Sequence, residues 1–526
     1  MIKTDLVLPY RYSTDTVKEA ISEHLPVGKN EINEIRLLKR ELVIKDGKSP
    51  VYKTTGAFSL GEEREAGLLK IKKRVSPFDG EIFSAKQSRF DRRPVVAGAG
   101  PAGLFAALTL AESGACPIVI ERGLPVDERR EKINTFSKLG ILDTECNVQF
   151  GEGGAGTYSD GKLKTGAKDK YKLKVLEEFI TGGADESIMY SASAHLGTDK
   201  LPGIVKTIRE KIISLGGEFI FSARLTDITV KNDTLVGVKY ERDGQTLTLD
   251  TDTLILAIGH SARDTVCHLK EKGLHMKAKG FGIGMRIEHP REYINKIIYR
   301  DASSEVVESA SYHLVTHLPS GRSVYSFCMC PGGEVVAAAS ETGAIVTNGM
   351  SEYARMADNS NAAILVSVTP EDFNSDDPLA GIELQRQIES RAYGLSNSYK
   401  APAIKLSDLK TGKCGGFSGV TPSYPIGIIE ASPYDYMPDY IPESISAAMP
   451  DFDDWLSGYY YPDAALTGPE TRTTSPIRIE RGDDGCAPNF DGVYPTGEGA
   501  GYAGGIVSSA TDGIRMAEKA IEKHLK

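Results

Sequence analysis

Three closely spaced glycines mark a segment that could hold the phosphates of a nucleotide. Gly98, Gly100 and Gly103 follow a strand-like apolar run and precede a helix-like apolar run. In a strand–turn–helix unit, the first glycine allows a tight turn, the second lets a pyrophosphate approach the backbone, and the third lets the helix pack close to the strand. The helix N-terminus then faces the phosphate charge. The segment predicts a dinucleotide site that also includes Pro101 and Ala102.

An acidic residue follows the next strand-like run, residues 117–120. A carboxylate at the end of the second strand of such a unit accepts hydrogen bonds from a ribose hydroxyl. Glu121 is therefore predicted to contact the ribose, and Arg122 is included in the same site. A tight turn without a ligand is the alternative, but the order strand, turn, helix, strand and acid favours the dinucleotide site.

A second glycine-rich turn lies near the C-terminus, at residues 493–506. It resembles the second flavin signature of the glutathione-reductase-like and p-hydroxybenzoate-hydroxylase-like FAD proteins, with Gly497 and Glu498 in place of the usual Gly-Asp. The resemblance implies that Glu498 accepts a hydrogen bond from a ribityl or ribose hydroxyl. It also implies that a helix beginning near Gly505 and Ile506 offers N–H donors to the flavin. The alternative is a loop that only caps the last helix.

Two further segments resemble parts of the same flavin fold. Ala257 and Gly259 end a strand-like run, where small residues let the backbone pass close to the dinucleotide. The strand-like segment 217–228 is similar to the strand that meets the adenine, with Leu225 at the contact. Glycines at 151–156 repeat the spacing but are followed by turn residues instead of an apolar helix, and those at 499–504 open a helix that no second strand follows. One dinucleotide fold is therefore predicted, and NAD(P)H is expected only as a transient electron donor.

The glycine-dense segment 149–163 is predicted to turn backbone N–H groups towards the pyrophosphate and the flavin edge, with Gly153 and Gly154 in the site. Together with residues 327–335 and 346–351, it resembles a family of uncharacterised FAD-dependent (NAD/FAD-utilising) dehydrogenases. The resemblance covers nearly the whole chain. It implies bound FAD and redox chemistry, and it implies no particular substrate.

These elements predict an α/β fold built on a single split Rossmann-like FAD-binding domain. Residues 1–90 are expected to form a small N-terminal α+β domain of ferredoxin-like type, with a helix over residues 14–24. Residues 91–280 and 466–526 are expected to be the two parts of the FAD-binding domain. Residues 281–465 are expected to form an inserted, strand-rich α+β domain that covers the reactive ring and supplies the substrate pocket.

The composition narrows the function classes. The chain has 526 residues, of which 40% are hydrophobic and 25% charged, as in ordinary globular proteins. A net charge of −10 disfavours broad binding to nucleic acid or to an anionic membrane. No secretory signal pattern is evident at the N-terminus. Seven cysteines without a scaffold spacing indicate a reducing, cytoplasmic location.

Several other residues could take part in chemistry, but none is assigned a catalytic role. Cys328 and Cys330 would share one face of a strand with Cα atoms about 6.5 Å apart, so a redox pair and plain packing both stay open. His260 could approach the cofactor or cap a loop. Lys162 could stabilise a reduced, anionic flavin or lie on the surface. His313 and His317 are interpreted as structural or pocket-lining, and no spacing indicates a metal site.

The predicted function is that of an FAD-dependent oxidoreductase. It would move a hydride or an electron pair between bound FAD and a small-molecule substrate or NAD(P)H. One alternative is an FAD-dependent enzyme of the tRNA-modifying type, suggested by residues 64–93, which hold nine Lys or Arg against four Asp or Glu. A solvated linker is the preferred explanation of this charge over a docking patch for an acidic partner or phosphate, and the negative net charge weighs against a nucleic-acid partner. A non-catalytic flavin-binding regulatory protein is the other alternative.

Overall fold

The computed structural model describes residues 1–45, 48–70, 74–78, 80–163, 170–304, 306, 308–373 and 375–525. The N-terminal region contains β1 (Ile2–Pro9), α1 (Thr14–His24), β2 (Glu34–Val43), β3 (Val51–Ser59), α2 (Glu62–Leu69) and β4 (Ser76–Pro77). The next region contains β5 (Val95–Ala97), α3 (Pro101–Glu112), β6 (Ile118–Ile120), α4 (Val126–Leu139), α5 (Lys170–Thr181), α6 (Gly197–Ser214), β7 (Glu218–Ile220), β8 (Arg224–Lys231), β9 (Thr234–Arg242), β10 (Gln245–Asp250), β11 (Leu254–Leu256), α7 (Arg263–Glu271) and β12 (Met276–Ala278).

The remaining elements begin at residue 281. They are β13 (Phe281–Pro290), α8 (Arg291–Tyr299), β14 (Val315–His317), β15 (Ser323–Cys330), β16 (Glu334–Ala337), β17 (Thr347–Met350), β18 (Asn359–Val368), α9 (Ala380–Gly394), β19 (Ala401–Lys405), β20 (Ile428–Glu430), α10 (Tyr440–Trp455), β21 (Ala465–Glu470), β22 (Ile477–Ile479), β23 (Val493–Pro495) and α11 (Ile506–His524). This mixture of helices and sheets confirms the predicted α/β class.

The N-terminal region forms one antiparallel sheet in the order β2-β3-β1-β4. With helices between β1 and β2 and between β3 and β4, this is the βαββαβ topology of ferredoxin-like domains. Helix α1 begins at Ser13, whose hydroxyl accepts the N–H of Thr16, and it buries Val17 and Ile21 against the sheet. The edge strand β2 then joins the rest of the protein, because the N–H of Ala192 donates to the carbonyl of Arg40 at 2.8 Å.

A five-stranded parallel sheet forms the centre of the next region, in the order β23-β11-β5-β6-β7. All residues of β5, β6, β11 and β23 are buried, which explains why these strands read as short apolar runs without alternation. Helices α3 and α11 cross over this sheet. An added Cβ at Gly513 would lie 2.1 Å from the carbonyl oxygen of Ala102, so glycine permits the close crossing.

The segment 217–228 is two strands, not one. Ser222 lies between β7 and β8 with φ +53°, a left-handed conformation that ends the first strand. Strand β7 completes the parallel sheet, and β8 begins a separate antiparallel sheet in the order β10-β9-β8. Because of this break, Leu225 lies in the second sheet.

The inserted region contains a seven-stranded sheet in the order β14-β15-β18-β13-β21-β19-β20. Its neighbours are antiparallel except for β19 and β20. Strand β21 pairs with both β13 and β19, so this sheet extends to Glu470, past the boundary predicted at residue 465. Strand β12 lies just before the inserted region and β22 just after it, and the two strands pair with each other in antiparallel orientation.

Candidate functional site

A cavity of about 500 Å³ lies where the parallel sheet meets the inserted region. Its walls include Ala97, Ile120, Ala257 and Thr496, which end or directly follow four of the parallel strands. The carboxyl edge of a parallel sheet is where open α/β folds bind their ligands. The volume is in the range of ordinary small-molecule and cofactor pockets.

Most residues predicted for cofactor binding line this cavity. They are Gly98, Gly100, Pro101, Ala102, Glu121, Arg122, Gly154, Leu225, Ala257, Gly259, Glu498, Gly505 and Ile506. The other three, Gly103, Gly153 and Gly497, lie behind the wall. A Cβ added at Gly103 would lie 1.8 Å from the Gly98 carbonyl oxygen, and one added at Gly153 would lie 2.0 Å from the Thr157 hydroxyl oxygen. A Cβ added at Gly497 would lie 2.7 Å from the Cβ of Ala102.

The glycines on the wall fall into two groups. Gly98 has φ +98°, and an added Cβ would lie 2.4 Å from the Ala257 carbonyl oxygen, so the protein itself requires glycine there. Gly100 has an ordinary φ of −74°, and its added Cβ would meet only the Cα of Gly154, at 3.8 Å. At Gly259, Gly504 and Gly505 an added Cβ would meet nothing within 4 Å. Packing therefore does not explain the absent side chains at Gly100 and Gly504, whereas a ligand close to the backbone would.

Glu121 has a role that the sequence does not reveal. Its Oε2 accepts the N–H of Ala99 at 2.8 Å, and its Oε1 accepts the N–H groups of Gly123 and Gly151 at 2.9 Å each. The side chain is 5% exposed. The carboxylate thus ties three backbone segments together at the cavity wall, in addition to its predicted place beside a ribose.

Arg122, the next residue, is also held in place by the protein. Its guanidinium carbon lies 3.9 Å from the centre of the Phe150 ring, and its nitrogens pair with Glu145 and Asp264 at 3.0 Å. Because Arg122 and Phe150 both line the cavity, the stacked pair forms a flat surface on its wall, and the Arg122 charge is matched by the two carboxylates.

Arg129 is a residue of the site that the sequence analysis missed. It is fully buried on α4 and donates only to backbone carbonyls, which belong to Asn147, Val148, Gly151, Glu152 and Gly154. One side chain thereby fixes the shape of the glycine-dense loop. A signal was present, because Arg129 shares the buried face of α4 with Val126, Ile133 and Phe136. An arginine on an apolar face needs buried acceptors.

The inserted region supplies a polar wall that is organised by Arg286. This fully buried guanidinium pairs with Glu470 at 2.5 and 2.8 Å and donates to the side chain of Asn348 at 2.9 Å and to the carbonyl of Cys328 at 2.8 Å. Glu470, Asn348 and Cys328 all line the cavity. Burial raises the pKa of Glu470, although Arg286 opposes the shift.

A second buried ion network joins the inserted region to the parallel sheet. Glu389 on α9 accepts from Arg263 on α7 at 2.8 and 2.9 Å and from Arg472 at 2.9 and 3.2 Å. Burial would raise the pKa of Glu389, but the two arginines outweigh burial and hold it below its usual range. Arg472 lines the cavity, so the network fixes a positive charge at the wall.

His260 and Glu498, which both line the cavity, have strongly shifted pKa values. Burial, with Arg472 and Arg263 nearby, lowers the pKa of His260 to about 3, so the imidazole is neutral at physiological pH. Burial raises the pKa of Glu498 to about 7, while the N–H of Gly505 and the charge of Lys279 oppose the shift. Glu498 therefore exchanges a proton near neutral pH.

The other candidate residues are divided between the cavity and the surface. Lys162 lines the cavity, with its Nζ 3.9 Å from the buried carboxylate of Asp160. His313 and His317 are exposed and are not part of the cavity wall. In the basic segment 64–93, Arg64 pairs with Glu31 and Arg93 with Glu218. Lys72 and Lys73 lie outside the described residues.

Within residues 1–45, 48–70, 74–78, 80–163, 170–304, 306, 308–373 and 375–525, no helix combines the length and apolar character needed to cross a membrane. In the same part of the chain, no group of three or more His, Cys, Asp or Glu side chains is arranged to hold a metal ion.

The chain is similar to known proteins over nearly its full length. Residues 280–473 match the family model "FAD-dependent protein, C-terminal domain-like". An uncharacterised protein of Clostridium beijerinckii is 44% identical over 518 residues, which cover 97% of this chain and 96% of that protein. The match agrees with the FAD-dependent part of the predicted resemblance, and the dehydrogenase part stays a prediction.

Similar solved structures are more distant. A geranylgeranyl bacteriochlorophyll reductase-like protein from Thermoplasma acidophilum is 11% identical with a TM-score of 0.36, over 82% of this chain and 79% of that chain. A flavocytochrome c3 fumarate reductase is 11% identical with a TM-score of 0.36, over 89% of this chain and 82% of that chain. On the full-length match, this chain belongs to the same family as the uncharacterised C. beijerinckii protein.

Proposed function

We propose that this protein binds FAD in the cavity at the edge of the parallel sheet and acts as an FAD-dependent oxidoreductase. The observation that carries the proposal is the set of wall glycines, Gly100 and Gly504 above all, whose missing side chains have no packing reason. The family model matched by residues 280–473 is named for FAD dependence and supports the choice of dinucleotide.

The residues on the wall fit the parts of FAD. The N-termini of α3 and α11 both open onto the same cavity, at Gly100 and at Gly505. Helix N-termini favour anionic and hydrogen-bond-accepting groups, so α3 suits the pyrophosphate and α11 suits the polar edge of the flavin. Glu121 and the flat Arg122–Phe150 surface lie at the end that would hold the adenosine.

When bound, FAD supplies hydride or electron-pair transfer. The residues of the chain would do the rest. Glu498, with its pKa near 7, would hold or release a proton at its carboxylate beside the cofactor. The walls around Arg286 and Arg472 would exclude water and position a small-molecule substrate between the two regions. NAD(P)H, as a transient electron donor, belongs to the same proposal.

Gly100→Glu tests the proposed site, because it places a carboxylate where the pyrophosphate would lie, and its Cβ would approach the protein no closer than 3.8 Å, at the Cα of Gly154. Wild-type protein is expected to be yellow or to take up FAD. The variant is expected to lose flavin absorbance while keeping the melting temperature of the flavin-free wild type, since bound FAD would itself raise the melting temperature. Gly203→Glu is the matched control, since Gly203 is exposed on α6 and an added Cβ would meet nothing within 4 Å.

The outcome can contradict the proposal in two ways. A colourless wild type that cannot be reconstituted with FAD would overturn it. Equal flavin content in Gly100→Glu and Gly203→Glu would show that FAD does not bind in this cavity. Anaerobic mixing of the yellow protein with NADH and with NADPH then measures which donor, if either, bleaches the flavin.

A further inference from the structure

The inserted region brings a pair of cysteines to the cavity wall. Cys328 and Cys330 end strand β15, and Cys328 lines the cavity beside Phe327 and Asn348. Cys330 is fully buried, whereas Cys328 is partly exposed. The pair therefore has one thiol facing the cavity and one behind it.

The backbone at this pair is irregular. The pairing of β15 with β18 shifts register between Phe327 and Cys330, and Cys328 has φ +42°, a left-handed conformation that non-glycine residues rarely adopt. The simple strand geometry expected from the sequence is thus replaced by a bulge. Bulges redirect side chains and are common beside active sites, and strain of this kind persists only where surrounding contacts hold it.

Those contacts come from Arg286. Its Nη1 donates to the carbonyl of Cys328 at 2.8 Å and lies 3.9 Å from the sulfur of Cys330. The thiol of Cys330 also donates to the Cys328 carbonyl, at 3.2 Å. The bulge and the two sulfurs are therefore fixed by a charged group that is itself anchored by Glu470.

The same surroundings separate the ionisation of the two thiols. A hydrogen bond from Cys330 lowers the pKa of Cys328 to about 5, against the effect of burial and with help from Arg286 and Lys162. Hydrogen bonding to Cys328 and burial raise the pKa of Cys330 well above its ordinary value. A thiolate beside a thiol is the form in which a dithiol is oxidised.

On the proposed FAD site, we propose that Cys328 and Cys330 are a redox pair that interconverts between dithiol and disulfide and exchanges two electrons with the flavin. In the oxidative direction an S–S bond forms between the two Sγ atoms and both thiol hydrogens are lost. Oxidised FAD takes up the corresponding two electrons and two protons. Because Cys330 is buried, Cys328 is the sulfur that any thiol or disulfide in the cavity would reach first.

Anaerobic reductive titration of the FAD-loaded protein, pre-oxidised with diamide, tests the proposal. Wild type is expected to take up four electrons per FAD, two for the flavin and two for the disulfide. Cys328→Ser and Cys330→Ser are expected to take up two. Cys267→Ser is the control and is expected to behave as wild type, since Cys267 lies on α7 and is not part of the cavity wall.

Peptide mapping by mass spectrometry supplies a readout that does not depend on activity. The oxidised wild type is expected to contain a Cys328–Cys330 crosslink, which disappears after reduction. An uptake of two electrons by the wild type, or a crosslink to another cysteine, would overturn the proposal. Both results come from the wild type, so they can contradict the proposal even if a serine variant fails to fold.

Failure of the FAD proposal can be distinguished from failure of the redox-pair proposal. Protein that neither contains nor takes up FAD would overturn the cofactor site and the electron exchange together. Flavin-loaded protein that forms no Cys328–Cys330 crosslink would overturn the redox pair alone.

Discussion

The two sides of the cavity are built in opposite ways. On the side of the parallel sheet, backbone groups form the wall, and glycines let them approach one another or a ligand. On the side of the inserted region, buried charged side chains form the wall, with Arg286, Arg472 and their carboxylates at its centre. Each glycine turn on the first side is formed by residues close together in the chain, whereas the ion pairs on the second side join residues far apart.

This difference corresponds to two tasks: one side of the cavity suits binding of the cofactor, and the other suits selection of the substrate. Backbone and helix-terminus contacts fit the phosphates and polar ring edge that every FAD molecule carries. Fixed charges and thiols on the other side can instead discriminate between substrates, because a buried polar group left unpaired is costly. We therefore expect the inserted region to determine which substrate the proposed enzyme uses.

The largest loss of stability is expected for Gly103→Ala, which changes the side of the cavity formed by backbone groups. The new Cβ would lie 1.8 Å from the carbonyl oxygen of Gly98, and neither backbone segment can move without separating α3 from β5. We expect a loss of at least about 5 kcal/mol in the free energy of unfolding, or failure to fold. Thermal or urea unfolding measures it.

Gly203→Ala is the matched control for this prediction. Gly203 lies within α6, and its added Cβ would meet nothing within 4 Å. Replacing an exposed helical glycine with alanine is expected to stabilise the protein by roughly 0.5–1 kcal/mol. Similar stabilities for Gly103→Ala and wild type would contradict the close packing described for the backbone side.

The second largest effect is expected for a substitution among the buried charged residues of the inserted region. Glu389→Gln removes the charge that neutralises Arg263 and Arg472 while keeping the shape of the side chain. Because the two buried guanidinium groups would keep only the partly exposed Glu341 as a counter-ion, one buried positive charge would be left unbalanced. We expect a destabilisation of about 3–5 kcal/mol in urea unfolding.

Glu383→Gln on the same helix provides the comparison, since Glu383 is exposed. Its effect is expected to stay within about 0.5 kcal/mol. If the two variants were equally stable, the ion network would not be what holds the inserted region to the parallel sheet.

The smallest effect concerns the pH dependence of Glu498 in the flavin-free protein. Its pKa is about 7 when folded, against 4.5 as the ordinary value. A carboxyl group with a raised folded pKa binds its proton more tightly in the folded state, so wild type loses stability as pH rises from 4.5 through 7. Glu498→Gln lacks this loss and should gain about 1–3 kcal/mol relative to wild type across that window.

Urea unfolding of both proteins at several pH values between 4.5 and 8 measures this difference. Gly203→Ala is the control, because it changes no ionisable group and should differ from wild type by the same amount at every pH. A difference between Glu498→Gln and wild type that stays constant over the window would show that the carboxyl group is not held in a desolvating environment.

The sequence predicted best where a few neighbouring residues suffice. The glycines from Gly98 to Gly103 and the turn around Glu498 and Gly505 were located from local patterns, and most of them line one cavity. The pattern was less accurate over residues 217–228, where the left-handed Ser222 divides one expected strand into two. A single backbone dihedral of a serine leaves no reliable trace in hydrophobic periodicity.

The residues that were missed depend on distant partners. Arg286 pairs with Glu470 across 184 positions of sequence, and Arg263 pairs with Glu389 across 126. In the sequence each looks like an ordinary surface charge, since arginine and glutamate are usually exposed. Only burial on both partners distinguishes them.

The α/β class, the glycine turns and the resemblance to FAD-dependent proteins all follow from the amino-acid sequence, because turn conformation and helix starts depend on residues close together in the chain. The tertiary structure alone decided that Glu121 ties three loops, that Arg129 shapes the glycine-dense loop, and that a strained Cys328 faces the same cavity. These arrangements arise when strands β5, β15 and β21, far apart in the sequence, are packed around one space, and no local pattern encodes that packing.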